Sequence, residues 1–121
     1  MEKELKVECR VVNPTLAMVY LVGDMNIYNA NLLREDFERS FRQGVKNFVV
    51  NLQALNTVDS AGIGVLFTML SMVEGDHGQA VLLGANESIR KLFDVTQVSQ
   101  YFTMVTSEAE AMEKLRTKIP A

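Results

Sequence analysis

The chain has 121 residues, of which 48% are hydrophobic, so it is long enough for one domain around a single core and too short for two. Its net charge is −3 and its 12 basic residues are scattered, which excludes the basic surface expected of a DNA- or RNA-binding protein. The one cysteine, Cys9, cannot form an internal disulfide, and no apolar run reaches the ~20 residues that cross a bilayer. The chain also begins without the charged and apolar pattern of a signal peptide. We therefore expect a single domain over residues 1–121, without a membrane span and located in the cytoplasm.

The first two elements are predicted to be strands that form a hairpin. Apolar and charged residues alternate from residue 5 to residue 11, the period-two pattern of a half-buried strand at a sheet edge. A turn at residues 13–15 leads into a more uniformly apolar strand at residues 16–22. Residues 23–29 are predicted to follow as a polar loop.

A helix and a third strand are predicted next. From residue 29 or 30 to residue 43, apolar residues recur every four positions between charged residues, which is typical of an amphipathic surface helix. Gly44 can end this helix, because glycine readily adopts the left-handed conformation that often follows a helix. Residues 48–52 are apolar enough for a strand covered on both faces, as in parallel sheets that lie between helices. The recurring apolar residues of the helix are Leu33, Phe37 and Phe41.

Helices and strands alternate over the remainder of the chain. The predicted elements are a helix at residues 63–74, a strand at 80–83, a short helix from a cap at Asn86 or Ser88 to residue 93, a strand at 101–106 and a last helix capped by Ser107. In that last helix, Met112, Leu115 and Ile119 are predicted to face inward. This order predicts an α/β domain with a mixed sheet of about five strands, of which the later ones are parallel, and about four helices packed on it. Residues 23–26 and 58–60 both follow strands, so we expect both loops at the edge of the sheet where the carboxyl ends of the strands lie.

The polar turn at residues 58–62 is the most informative stretch, because it joins the segment after a buried strand directly to an apolar helix. Ser60 lies near the helix start, where a serine often caps the helix by accepting a backbone N–H. Gly62 and Gly64 fall in the first turn, although each costs about 1 kcal/mol relative to alanine. A close approach by another molecule or backbone would explain both glycines. Two interpretations therefore stay open for Ser60: a helix cap, or an accessible hydroxyl at a site of contact.

The helix predicted after Ser60 is apolar almost all round. At about 100° per residue, one apolar stripe would face the sheet and a second stripe the opposite side. The second stripe consists of Val65, Met69 and Met72. It either packs under a neighbouring element or forms a docking surface for a partner, for which flexible methionine side chains are well suited.

The segment Asp59-Ser60-Ala61-Gly62-Ile63-Gly64 resembles the D-S-[ST]-G-[LI]-G signature of STAS domains of the bacterial anti-sigma factor antagonist type. The resemblance extends over nearly the whole chain: residues 23–26 resemble the family's G-E-L-D segment, residues 49–52 its strand before the serine, and residues 88–94 its later helix. Ala61 replaces the second hydroxyl residue of the signature, which leaves Ser60 as its only hydroxyl. Asn26 stands where the family usually has an acid.

The resemblance implies a STAS fold and a function in partner switching. It implies that Ser60 is the phosphorylated residue, that the unphosphorylated chain binds an anti-sigma factor which is also an ATP-dependent serine kinase, and that the sigma factor is thereby released. It further implies that a serine phosphatase resets the protein and that no cofactor is needed. The partner-binding residues expected from the signature, the loop before the first helix and the apolar stripe are Asp24, Asn26, Asp59, Ser60, Ala61, Gly62, Val65, Met69 and Met72.

Two other functions stay open. The chain could be a STAS subunit of a stress-signalling scaffold or a lipid-transport assembly, in which Ser60 is only a cap. In a different class, Asp24 and Asp59 could hold Mg²⁺ in a small phosphoryl-transfer enzyme if the fold brings them together. His77 is the only histidine. Glycines flank it and no cysteine or second histidine is near it, so we expect an exposed turn residue without a role as a metal ligand or catalytic base.

Overall fold

The computed structural model describes residues 4–118, with side chains described through residue 115. The strands are β1 (Lys6–Asn13), β2 (Leu16–Met25), β3 (Asn47–Val58), β4 (Gln79–Leu83) and β5 (Thr103–Val105). The α-helices are α1 (Ala30–Arg42), α2 (Ser60–Gly75), α3 (Glu87–Val95) and α4 (Glu108–Lys118), and a short 3₁₀ helix covers Ser99–Tyr101.

The five strands form one sheet in the order β1-β2-β3-β4-β5. β1 pairs with β2 in the antiparallel sense, as predicted for the hairpin, and β2 through β5 pair in parallel. The mixed sheet, the edge position of β1 and the four α-helices predicted from the sequence are therefore confirmed. Because the parallel strands all point the same way, their carboxyl ends share one edge of the sheet.

Two cores lie on the two faces of the sheet. The larger core joins the sheet to α1, α2 and α3, with Phe37, Leu66 and Phe93 among its buried residues. The smaller core lies under α4, where Ala111 and Leu115 pack against alternate residues of the strands. Ile119, which was expected to extend this inward face, lies outside the described residues.

Both β2 and β3 extend further than their apolar runs. The loop predicted to start at residue 23 starts after Met25 instead, because β2 stays paired with β3 through Asp24↔Thr57 and Met25↔Val58. Gly23 permits this continuation: with φ at +110° it lies against the Glu4 carbonyl, where a Cβ would not fit. In the last half of β3, two exposed residues precede each buried one, so its sequence lacks the continuous apolar run of its first half.

The predicted helix ends are largely confirmed. The Gly44 N–H donates to the Phe41 carbonyl and the Val45 N–H to the Ser40 carbonyl, the hydrogen-bond pair of a Schellman motif with Gly44 at φ +104°. Asn86, and not Ser88, caps α3 by accepting the Ile89 N–H at 2.8 Å. The Ser107 hydroxyl oxygen accepts the Glu110 N–H at 3.1 Å, as predicted for the cap of α4.

Candidate functional site at the carboxyl edge of the sheet

Asp59 caps α2 at the end of β3. Its backbone is extended, with φ −106° and ψ −175°. Its Oδ1 atom accepts hydrogen bonds from the Ala61 N–H at 3.0 Å and the Gly62 N–H at 3.2 Å. The interpretation of Ser60 as the cap is therefore wrong, because aspartate, an equally good cap residue, stands one position earlier and already holds the free N–H groups.

Ser60 is the first residue of α2, and its side chain is exposed. Within residues 4–118, its hydroxyl group has no hydrogen-bond partner. His77 is exposed in the turn after α2, with φ +63°. Because α2 has 16 residues that rise ~1.5 Å each, its two ends are roughly 22 Å apart, which puts His77 out of reach as a base for Ser60. The Ser60 hydroxyl is therefore open to a second molecule and lacks activation by the histidine.

The loop between β2 and α1 is held by its asparagines. Asn29 Oδ1 accepts the Asn26 N–H at 2.8 Å, and Asn29 Nδ2 donates to the Asp24 carbonyl at 2.8 Å. Asn26 Oδ1 accepts the Tyr28 N–H at 2.9 Å, which closes a local turn. Asp24 Oδ1 accepts the Thr57 hydroxyl of β3 at 2.9 Å. These bonds fix the loop against the end of the neighbouring strand.

Asp59 joins this loop to the start of α2. The Asp59 N–H donates to the Met25 carbonyl at 3.1 Å, and the second carboxylate oxygen, Oδ2, accepts the Ile27 N–H at 3.1 Å. One aspartate therefore binds backbone groups of both loops with its two carboxylate oxygens. The sequence-based expectation that Asp24, Asn26 and Ser60 lie on the same edge of the sheet is confirmed.

Gly62 and Gly64 differ in their surroundings. Gly62 is buried, and a Cβ there would lie 2.5 Å from Val58 Cγ2 and 3.0 Å from two Met25 atoms. A Cβ on Gly64 would have no neighbour within 4 Å. Close internal packing therefore explains Gly62, whereas the space beside Gly64 is open to solvent.

The apolar stripe is not a free surface. The Met69 side chain is only 1% exposed and belongs to the larger core. Val65 and Met72 are half-buried against the same core. The expectation that Met69 contributes to an exposed docking surface is wrong, because α2 packs on the sheet with one side and on α1 with another.

Sequence reasoning missed two exposed apolar residues in the loop that binds Asp59. In the loop before α1, the side chain of Ile27 is 71% exposed and that of Tyr28 is 89% exposed. Two large apolar residues between asparagines in a polar segment are the signal that could have identified them.

On the other side of β3, an open groove of about 350 Å³ separates the strand end from α3. Its lining residues are Thr57, Val58, Ser88, Ile89, Lys91, Leu92 and Val95.

Asp24 and Asp59 do not form a recognisable metal site. Over residues 4–118, no group of three or more His, Cys, Asp or Glu side chains is arranged to hold a metal ion. Both carboxylates already accept hydrogen bonds from the protein, Asp24 from Thr57 and Asp59 from three backbone N–H groups. In the same part of the chain, the structure has no helix that is long and apolar enough to span a membrane.

Comparisons with known proteins agree with this geometry. The anti-sigma F factor antagonist of Lysinibacillus sphaericus is 23% identical over 110 residues, which cover 90% of this chain and 93% of that protein. The structure of the anti-sigma factor antagonist SpoIIAA in its unphosphorylated form superposes with a TM-score of 0.80 at 20% identity, covering 95% of this chain and 100% of SpoIIAA. The structure of SpoIIAA from Bacillus in its phosphorylated form has a TM-score of 0.71 at 20% identity, covering 92% of this chain and 100% of SpoIIAA. The family model described as the STAS domain matches residues 7–111, and the chain belongs to the STAS domain family.

Proposed function

We propose that this protein is an anti-sigma factor antagonist whose partner binding is controlled by phosphorylation of Ser60. The observation that carries the proposal is the exposed Ser60 hydroxyl at the first position of α2, next to an aspartate that already caps the helix. The names of the relatives support the same function. The protein would act as a regulator without catalysis of its own, in the cytoplasm, where sigma factors operate.

The proposed partner is an anti-sigma factor with serine kinase activity. It would transfer the γ-phosphoryl group of ATP to Ser60 Oγ: a P–O bond to the serine forms, the bond to the ADP oxygen breaks, and the hydroxyl proton passes to a base of the kinase. The base is expected to come from the kinase, because His77 is at the other end of α2 and the Asp24 and Asp59 carboxylates already accept hydrogen bonds within the protein. A serine phosphatase would later hydrolyse the phosphoserine.

The proposed partner surface is the carboxyl edge of the sheet around α2. It consists of Asp24, Asn26, Asp59, Ser60, Ala61 and Val65. Gly62 is buried under this surface and lets the start of α2 pack closely on Val58. Met69 and Met72 support α2 from the core side and are not proposed as contacts.

Phosphate at Ser60 would act on the partner contact. A phosphoserine carries about 1.5 to 2 negative charges at neutral pH. A partner that covers the neutral hydroxyl group would have to bury this charge, and an uncompensated buried charge costs several kcal/mol. Since each 1.4 kcal/mol is a tenfold change in affinity, we expect roughly a thousandfold weaker binding or more.

The test uses the purified protein, ATP and candidate anti-sigma factor kinases from the native cell. We expect a kinase to bind the unmodified protein, to phosphorylate it and then to release it. Ser60→Ala should keep binding and lose phosphate incorporation. Ser71→Ala, which changes an exposed serine on the same helix, is the matched control and should behave as wild type. Phosphate incorporation that persists in Ser60→Ala would contradict the proposal.

Recovery of only scaffold or transporter subunits in affinity purification, together with Ser60→Ala behaving as wild type, would instead favour a STAS subunit of another complex. Mg²⁺-dependent turnover of a phosphoester by the protein alone would favour an enzyme. Each of these outcomes would replace the proposed function.

A further inference from the structure

Two exposed apolar side chains lie in the loop whose backbone binds Asp59, the residue before the proposed phosphorylation site. Tyr28 and Ile27 are the two most exposed large apolar residues in the described part of the chain, and Val95 follows closely at 70%. Neither side chain belongs to either core. The Ile27 backbone is nevertheless bonded to Asp59, the residue before Ser60. A large apolar residue that contributes nothing to the core and lies beside a regulated residue is a candidate contact for a partner.

The loop presents these side chains in a fixed arrangement. Four hydrogen bonds hold the loop. The Asn26 N–H donates to Asn29 and the Tyr28 N–H donates to Asn26. Asn29 Nδ2 donates to Asp24, and the Ile27 N–H donates to Asp59. The loop has no glycine between Asp24 and the start of α1. Because the loop is already ordered, binding through Tyr28 would lose little backbone freedom, which favours affinity. Tyrosine is also among the residues that most often dominate binding energies at protein interfaces.

The charge around the loop distinguishes between kinds of partner. Residues 23–32 and 57–66 contain no lysine or arginine, and they include the carboxylates of Asp24 and Asp59. Lys91 lies on the other side of β3, in the groove beside Thr57 and Val58. A nucleic acid would need basic residues along its backbone, and an anionic membrane surface would repel these carboxylates. A protein surface with an apolar pocket is the partner that fits two apolar side chains on an acidic edge.

We infer that Tyr28 and Ile27 form an apolar anchor that inserts into a pocket of the anti-sigma factor kinase, and that Asp59 is the positioning residue that holds this anchor beside Ser60. The inference rests on the proposed function and extends it, because it identifies which side chains supply the affinity and how they are kept in register with the phosphorylated residue. The anchor contacts the partner directly, whereas Asp59 acts through its bond to the Ile27 N–H.

The first experiment measures binding of the unphosphorylated protein to the purified kinase by calorimetry. Tyr28→Ala should weaken binding by about thirtyfold or more, the effect of removing a dominant interface residue. Tyr28→Phe should retain most of the affinity because the ring remains. Val12→Ala is the matched control: Val12 is 57% exposed, but it lies in the hairpin at the opposite edge of the sheet, so we expect less than about a threefold change. Thermal unfolding of all three variants should match that of wild type, since these side chains are exposed.

The outcomes separate the anchor from the proposed function. If wild type binds and is phosphorylated but Tyr28→Ala binds equally well, the anchor is overturned and the proposed function stands. If wild type binds none of the candidate kinases, the proposed function fails and the anchor fails with it. If Tyr28→Ala abolishes self-association in sedimentation and leaves kinase binding unchanged, the patch belongs to a contact between two copies and the inference is wrong.

A second variant, Asp59→Asn, tests the positioning residue without the partner. Asparagine has a single side-chain oxygen, so it can accept from the start of α2 or from Ile27 but not from both. We expect the oxygen to stay on the two helix N–H groups, and the Ile27 amide to lose protection from hydrogen exchange by about tenfold or more. The Val45 amide, which is bonded far from this edge, should not change. An Ile27 amide that exchanges in wild type as fast as in an unfolded peptide would show that the loop is not fixed and would overturn the positioning role.

Discussion

Gly62 and Val58 are packed so closely that a methyl group added at Gly62 would lie 2.5 Å from Val58 Cγ2. The β-branched Val58 side chain is buried at the end of β3 and has little freedom to move. Overpacking in Gly62→Ala should therefore lower the free energy of unfolding by ~1–3 kcal/mol. The higher helix propensity of alanine, about 1 kcal/mol, offsets only part of this loss. We expect a net loss of up to about 2 kcal/mol in the free energy of unfolding, measured by urea denaturation.

Gly64→Ala is the matched control for this prediction. A Cβ at Gly64 has no neighbour within 4 Å, so only the gain in helix propensity, roughly 0.5–1 kcal/mol, should remain. The two alanine variants should thus change stability in opposite directions. Equal effects would contradict the difference in packing between the two glycines.

Met69→Lys should strongly destabilise the protein. The Met69 side chain is 1% exposed and belongs to the larger core, so the variant would bury an ammonium group without a partner. We expect a loss of more than about 3 kcal/mol in the free energy of unfolding, or an insoluble protein. Ser71→Lys, at an exposed position two residues along the same helix, should change stability by less than about 0.5 kcal/mol. A stable and soluble Met69→Lys variant would contradict the burial of this residue.

Phosphorylation of Ser60 should leave the fold and its stability nearly unchanged. The start of α2 favours negative charge by about 0.3–1 kcal/mol, but the Asp59 carboxylate already holds the Ala61 and Gly62 N–H groups and repels the phosphate. We expect the free energy of unfolding to change by less than about 1 kcal/mol. Amide NMR shifts of the phosphorylated protein and of Ser60→Asp should stay within residues 24–28 and 57–66. Shifts that reach Leu5 or Met112 would instead indicate a conformational switch across the sheet.

Asn26→Asp should alter the rate of Ser60 phosphorylation by the kinase without altering the fold. An aspartate can still accept the Tyr28 N–H, so the local turn is retained. The added negative charge lies on the same sheet edge as Ser60, where it changes the electrostatic field in which a phosphoryl group arrives. The rate is compared by single-turnover assays with that of Glu35→Gln, a charge change at an exposed position of α1 that should have no effect. Equal rates for Asn26→Asp and wild type would show that asparagine and aspartate at this position support Ser60 phosphorylation equally well.

The sequence by itself determined the architecture and the edge that carries the site. The alternation in β1, the four-residue period in α1 and the Gly44 helix end are local patterns, and local backbone and side-chain geometry is sufficient to produce them. The order of the elements also predicts parallel strands, whose carboxyl ends meet at one edge, and this is why the two polar loops that follow β2 and β3 lie together as expected.

Only the tertiary structure decided which groups are buried, which are shared between loops and which are free. Met69 is buried because α1 and the sheet both pack on α2, and no period within α2 can show how many of its sides are covered. Asp59 rather than Ser60 caps the helix while its second oxygen binds the Ile27 N–H, a contact between residues 32 positions apart. Ile27 and Tyr28 look like core residues by hydrophobicity, yet the bonds that fix their loop to the carboxyl edge leave both side chains in solvent. Burial and exposure depend on long-range packing, whereas the elements and their caps depend on residues a few positions apart.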